Sequence, residues 1–168
     1  MEGVPLLKNG DIIWLNHSEK DATLASSKDV NLDKQGSAAA QKEALNVEFV
    51  NSNISDNFQQ YSGNTNGMWV IESQDFRVGG FVQWDTSYRL KHFISGLYLG
   101  IKSSRGTQGY SMIMSIYPDK STLFTFEKVL SATHKLSPYL RKYITKDTFV
   151  TLRNNETSTY LKLQVKQN

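Results

Sequence analysis

An all-β fold assembled from three quasi-equal units is predicted by three observations. First, three strand-like runs, at residues 11–17, 87–92 and 148–154, end at His17, His92 and Asn154. Each is followed by a leucine at the same offset of seven residues: Leu24, Leu99 and Leu161. Second, Trp69-Val70-Ile71-Glu72 and Phe124-Thr125-Phe126-Glu127 share an aromatic-x-apolar-Glu pattern, each closing a unit. Third, the strand-like runs are short and little of the chain has helical periodicity. Self-similarity of this kind sets the architecture before any single residue does. A threefold barrel, the β-trefoil, meets these demands by closing its sheet and removing exposed edges.

The elements follow in order. Asn9-Gly10 is a turn signal, and residues 11–15 carry β-branched and aromatic side chains suited to a strand. Residues 26–46 are polar, with an alanine-rich stretch at 38–45 that favours a short helix, and form an expected surface insertion. Residues 47–50 alternate as a strand, 51–67 form a long Asn/Ser/Gly-rich loop, and 68–72 are apolar enough for a buried strand. Gly79-Gly80 marks a turn. Residues 88–92 and 97–101 pair around Ser95-Gly96, and 102–109 form a connecting loop. Residues 112–116 and 123–129 are two further strands split by Pro118-Asp119. A loop over 130–147 precedes the closing runs at 149–152 and 160–165.

The chain thus reads as one domain over residues 1–168, with repeats near 6–72, 80–127 and 143–168. The third unit is short. Five residues follow Leu163, with no aromatic-x-x-Glu run among them. A complete trefoil needs about two more strands of ~5–6 residues. The third lobe is therefore expected to be incomplete, or finished by something outside these residues.

Composition narrows the function. No run approaches the roughly 18 apolar residues of a membrane span, so no direct membrane contact is expected. The opening residues lack the pattern of a secretory signal. With no cysteine, disulfides, thiolate metal sites and cysteine nucleophiles are excluded. Net charge is +3, from 19 basic and 16 acidic side chains scattered along the chain, which argues against nucleic acid. Only Lys135, Arg141, Lys142 and Lys146 form a locally basic stretch, read as a solvated face.

Candidate chemistry is sparse. His17 and His92 occupy equivalent repeat positions, with Asn154 in the third slot. An imidazole or an amide bonding a nearby backbone carbonyl explains all three. Glu72 and Glu127 are also repeat-equivalent, so the pseudo-symmetry holds them apart and they are no acid–base pair. The other repeat positions are Leu15, Trp69, Leu90, Tyr98, Phe124, Leu152 and Tyr160, read as structural. Trp14, Trp84, Tyr98 and Tyr160 are of the type that stacks sugars, with core packing the preferred reading. No nucleophile–base–orienter set is visible, so the chain is expected not to be an enzyme and to need no metal or cofactor.

Residues 7–19 resemble the opening of the second, MIR-containing trefoil of inositol trisphosphate and ryanodine receptors, the calcium-release channels. Trp69-Val70-Ile71-Glu72, Gly79-Gly80, Trp84 and residues 88–99 are similar to the central repeat of the same domain. The likeness runs on through 124–127, 136–143 and 149–153, covering roughly residues 6–163. The Leu-x-His repeat alone implies only the MIR module, shared with protein O-mannosyltransferases; the segment order favours the channels.

The resemblance implies a non-catalytic regulatory domain on the cytoplasmic face of the endoplasmic reticulum membrane, part of a larger receptor protein for ion transport. It would form one wall of a ligand cleft and pack against neighbouring domains or subunits of a tetrameric channel. In the family, an arginine-bearing loop before the Trp strand supplies phosphate contacts. Here that loop falls at about Ser52, Asn53, Ser55 and Asp56, and no Lys or Arg occurs between Glu43 and Asp75. Phosphate recognition needs convergent cations, so inositol phosphate is disfavoured as a ligand. The alternative is a glycosylation-type MIR module that binds a glycan or a polypeptide.

Overall fold

The computed structural model describes residues 5–27, 46–51, 65–75, 77–104, 106, 108–129 and 142–167. Period-2 alternation is realised as strands: β1 (Ile12–His17), β2 (Ala22–Ser27), β3 (Asn46–Asn51), β4 (Trp69–Ser73) and β5 (Ser87–His92) in the first half. They are followed by β6 (Tyr98–Ser103), β7 (Tyr110–Ser115), β8 (Phe124–Lys128), β9 (Phe149–Asn154) and β10 (Tyr160–Gln167). Two 3-10 turns, Thr65–Gly67 and Lys120–Thr122, lead into β4 and β8.

The barrel closes on itself. β1 pairs with β4, β4 with β5, β5 with β8, β8 with β9, β9 with β10 and β10 with β1, all antiparallel. Each of these strands turns two side chains inward, two residues apart. They are Ile13 and Leu15, Trp69 and Ile71, Tyr88 and Leu90, Phe124 and Phe126, Val150 and Leu152, and Leu163 and Val165. None is more than 3% exposed. Burying such a side chain is worth about 1.5–3 kcal/mol, so this double layer dominates the fold's stability. The β2–β3 and β6–β7 hairpins cover the barrel from outside and are joined to it through Asn16–Thr23 and Lys91–Tyr98 pairings.

Where the lobes join, the threefold relation is visible in single atoms. Leu7 N–H donates to Ile144 O, Ile144 N–H to Val82 O, and Val82 N–H to Leu7 O, at 2.9, 3.1 and 2.8 Å. The three side chains, all buried, plug this end of the barrel. The turn that follows each one carries a left-handed residue at the matching place: Gly10 (φ +91°), Asp85 (φ +57°) and Asp147 (φ +61°). Aspartate tolerates that region better than most side chains, so only one of the three turns uses glycine.

The third lobe corrects one expectation. It is short, as the sequence implies, with two strands where the others have four. Nothing outside is needed to close the barrel, because β10 does two jobs. Its first half pairs with β9, Tyr160 opposite Arg153 through Gln164 opposite Phe149. Its second half pairs with β1, Leu163 opposite His17 through Gln167 opposite Ile13. Leu163 therefore stands where Trp69 faces His92 and Phe124 faces Asn154. The strand judged missing is Leu163-Gln164-Val165-Lys166, with leucine for the aromatic and lysine for Glu72 and Glu127. Leu161 departs from its repeat mates accordingly. Leu24 and Leu99 are fully buried under their hairpins, whereas Leu161 pairs with Leu152 and is only partly buried.

The insertion begins later than the sequence indicates. Ser26 and Ser27 continue β2 and Asn46 opens β3, where they extend the ladder with Val47 opposite Ser26. Cross-strand pairing overrides their weak local strand preference. The alanine-rich stretch lies outside the described residues.

Candidate functional site

The position that ends β1, β5 and β9 holds His17, His92 and Asn154, and two of the three are enclosed. His92 is 2% exposed. Its Nδ1 accepts from the Ser95 backbone at 3.3 Å and meets Ser95 Oγ at 2.8 Å, while Nε2 lies 2.8 Å from Asn66 O. With Nδ1 accepting from a backbone N–H, the ring proton sits on Nε2 and is donated to the carbonyl. Burial pushes the His92 pKa below the ordinary imidazole value, and the Asn66 carbonyl partly opposes that shift. Asn154 repeats the bridge with an amide. Its Nδ2 donates to Ser121 O at 2.8 Å, and Oδ1 accepts from Thr157 N and Oγ1, each at 3.0 Å. Asn66 and Ser121 belong to the two 3-10 turns, so each turn caps the head group at the start of the next lobe.

His17 has the same start and a different finish. The repeat is kept at Ser18, whose N–H donates to Lys162 O as Phe93 does to Met68 O and Asn155 to Leu123 O. Beyond that point it breaks. The turns after His92 and Asn154 pass through left-handed Gly96 and Ser158 and return an N–H to the His92 and Asn154 carbonyls. The β1–β2 turn has no positive-φ residue, and Glu19 N–H donates to His17 Nδ1 at 3.1 Å instead. Among the described residues no 3-10 turn covers the ring, and β10 is a single strand from Tyr160 to Gln167. Phe49 packs edge-on against the ring at 5.1 Å between centroids.

His17 lines a pocket of about 300 Å³. Its walls are the β1–β2 turn on one side and Phe149, Gln164 and Lys166 on the other. Glu19 and Asp21 bring negative charge, Lys20 and Lys166 positive charge, and the Phe149 ring is half exposed. The pocket is polar and close to neutral.

The repeat residues named from sequence are mostly structural. Leu15, Trp69, Leu90, Phe124 and Leu152 are fully buried, and the Trp69 indole N–H donates to Leu24 O at 2.9 Å. Glu72 accepts from the Tyr98 hydroxyl at 3.1 Å, and burial together with the adjacent Glu72 charge pushes the Tyr98 pKa up. Glu127 pairs with Arg153. Tyr160, at the repeat position of buried Tyr98, is 55% exposed. The loop positions Ser52, Asn53, Ser55 and Asp56 lie outside the described residues, as do His134, Lys135 and Arg141. Between β6 and β7, Ser104 N–H donates to Gly109 O. None of the possible stacking residues Trp14, Trp84, Tyr98 and Tyr160 lines the pocket beside His17.

Sequence reasoning identified His17 as a repeat position and missed its surroundings. Glu19, Lys20, Phe149, Gln164 and Lys166 carry no motif. The one available signal was the unbroken alternation of Leu161, Leu163 and Val165, which marks a single long strand with no room for a cap. Among the described residues, no group of three or more His, Asp or Glu side chains is placed to hold a metal ion, and no described helix is long and apolar enough to cross a membrane.

A family model for the MIR domain matches residues 5–168. No curated protein sequence matches the chain at a significant level. Similar solved structures include a Caenorhabditis elegans protein of unknown function, 14% identical, with a TM-score of 0.64 over 100% of this chain and 92% of that one. An SDF2-like protein from Arabidopsis thaliana is 14% identical, with a TM-score of 0.63 over 97% of this chain and 88% of its own. The Saccharomyces cerevisiae protein O-mannosyltransferase Pmt1-Pmt2 complex bound to the sugar donor is 16% identical, with a TM-score of 0.62 over 98% of this chain but 23% of that one. Identities this low speak to the fold alone. The closed β-trefoil barrel, its threefold bridges and the match across nearly every residue place this chain in the MIR domain family.

Proposed function

We propose that the chain is a non-catalytic recognition module for a polar ligand without strong net charge, a glycan or a polypeptide, rather than for a polyphosphate. The observation that carries this reading is the balanced lining of the His17 pocket, where Glu19 and Asp21 oppose Lys20 and Lys166. A trisphosphate needs several convergent cations to offset its desolvation, and two carboxylates at the same mouth work against it. The fold is shared with an O-mannosyltransferase complex bound to its sugar donor, so the glycosylation-type alternative stays open.

A second reading is a regulatory domain of an endoplasmic-reticulum calcium-release channel, docked on neighbouring domains or subunits. The sequence resemblance favours it, as do the adjacent exposed side chains Phe93 and Ile94 in the β5–β6 turn (48% and 54% exposed). Calorimetry separates the two. Titration of the full chain with mannose oligosaccharides and with unfolded polypeptide is expected to give saturable heat with at least one, and inositol trisphosphate none at millimolar concentration. Micromolar trisphosphate binding, or silence with all three, overturns the first reading.

A further inference from the structure

We propose that the pocket holds a neutral glycan, with a pyranose ring stacked on Phe149 and its hydroxyls on the amides of Gln164 and Asn16. This rests on the recognition reading above and chooses the glycan over the polypeptide. One wall of the pocket is the outer face of three barrel strands. Val150, Leu163, Val165 and Leu15 fill the barrel, so strand alternation turns Phe149, Gln164 and Asn16 outward. Gln164 stands opposite Phe149 on one side and opposite Asn16 on the other. The three make one row across β9, β10 and β1, about 10 Å long from two strand spacings. All three line the pocket.

The row has an apolar end and a polar end. The Phe149 ring is half exposed, and its electron-rich face suits the C–H face of a sugar ring. The two amides are held in opposite senses. Gln164 Nε2 donates to Asp147 O at 3.2 Å, which leaves Oε1 as an acceptor. Asn16 Oδ1 accepts from Thr23 Oγ1 at 2.9 Å, which leaves Nδ2 as a donor. A hydroxyl both donates and accepts, so neighbouring hydroxyls of one sugar can use the pair together. Glu19 and Lys166, on the same lining, add a further acceptor and donor.

An extended polypeptide finds less to hold. Strand addition uses unpaired backbone groups at a sheet edge. Gln164, at the centre of the row, is paired with β9 on one side and with β1 on the other. On the β1–β2 turn, the N–H groups of Ser18, Glu19 and Ala22 are bonded within the fold. The pocket therefore offers a ligand side chains more than backbone, which is the chemistry that suits a ring of hydroxyls.

The test uses the full chain with mannotriose, cellotriose and chitotriose, and an unfolded polypeptide as the rival probe. Isotope-filtered NMR is expected to show, for at least one saccharide, Overhauser contacts between the Phe149 ring protons and sugar C–H protons. The side-chain amide signals of Asn16 and Gln164 are expected to shift in the same titration. Phe149→Ala is expected to weaken saccharide binding about tenfold, the upper range for one aromatic contact. Phe149→Tyr keeps the ring and restores most of it, and Gln164→Leu weakens binding severalfold. The contacts are read on the parent chain, so a poorly folded variant leaves the test intact. Saccharide binding without contact to Phe149, or polypeptide binding with no saccharide bound, overturns this proposal and spares the recognition reading. No binding of any probe overturns both.

Discussion

The His92 and His17 ends of the trefoil begin alike and finish differently. Both close a barrel strand, and in both a backbone N–H donates to Nδ1. Around His92 a tight left-handed turn and a 3-10 cap exclude water, and every ring atom able to bond does so within the fold. Around His17 the turn is looser, no 3-10 cap is found among the described residues, and the residue lines a pocket. The contrast teaches that one residue type at one repeat position becomes structural or available according to what covers it. Pseudo-symmetry supplies three equal foundations, and the described residues roof two of them.

The largest test of that contrast concerns the barrel positions beneath the two ends. Trp69→Ala removes a fully buried indole and its bond to Leu24 O, and a loss of about 4 kcal/mol is expected in urea denaturation. Leu163→Ala, at the matching place under His17, is expected to cost about 3 kcal/mol. A near-neutral Leu163→Ala would show that β10 does not close the core as described.

Next come the head groups themselves. His92→Ala leaves the buried Asn66 carbonyl without its donor and is expected to cost about 2 kcal/mol. His17→Ala, which opens onto solvent, is expected to cost under about 1 kcal/mol. Equal losses at the two positions break the comparison.

The pH response is a finer probe. Burial lowers the His92 pKa from its ordinary 6.5, so below that value the unfolded chain binds a proton that the folded state resists. This contribution to stability is complete above about pH 6.5 and declines as pH falls toward the folded pKa. Urea midpoints measured at pH 7.5 and 5.5 are expected to differ less in His92→Asn than in the parent chain. Identical differences would remove His92 as the source.

The smallest effect is expected at the surface pair Glu127–Arg153, whose side chains are 32% and 31% exposed. A double-mutant cycle is expected to give less than about 1 kcal/mol. Lys166 occupies the third of these positions, so the pair also marks where the third lobe exchanges a carboxylate for a cation.

Much of the fold was legible from local pattern. The aromatic-x-apolar-Glu runs are β4 and β8, and the equivalence of His17, His92 and Asn154 holds in the strand register. The amide at Asn154 does the work of the imidazole at His92, as their shared hydrogen-bonding capacity suggests. The candidate site was barely legible. Its walls come from distant parts of the chain, and their pairing depends on which partner β10 takes after Leu163.

The sequence by itself determined the strand periodicity, the threefold repeat and the short third unit, because alternation and spacing are properties of neighbouring residues. Only the tertiary structure decided that β10 divides its pairing between β9 and β1. Pairing is a contest between whole strands for the same backbone donors and acceptors, and no local signal records its outcome. That one choice closes the barrel and sets Gln164 and Lys166 beside the β1–β2 turn, in one pocket with His17.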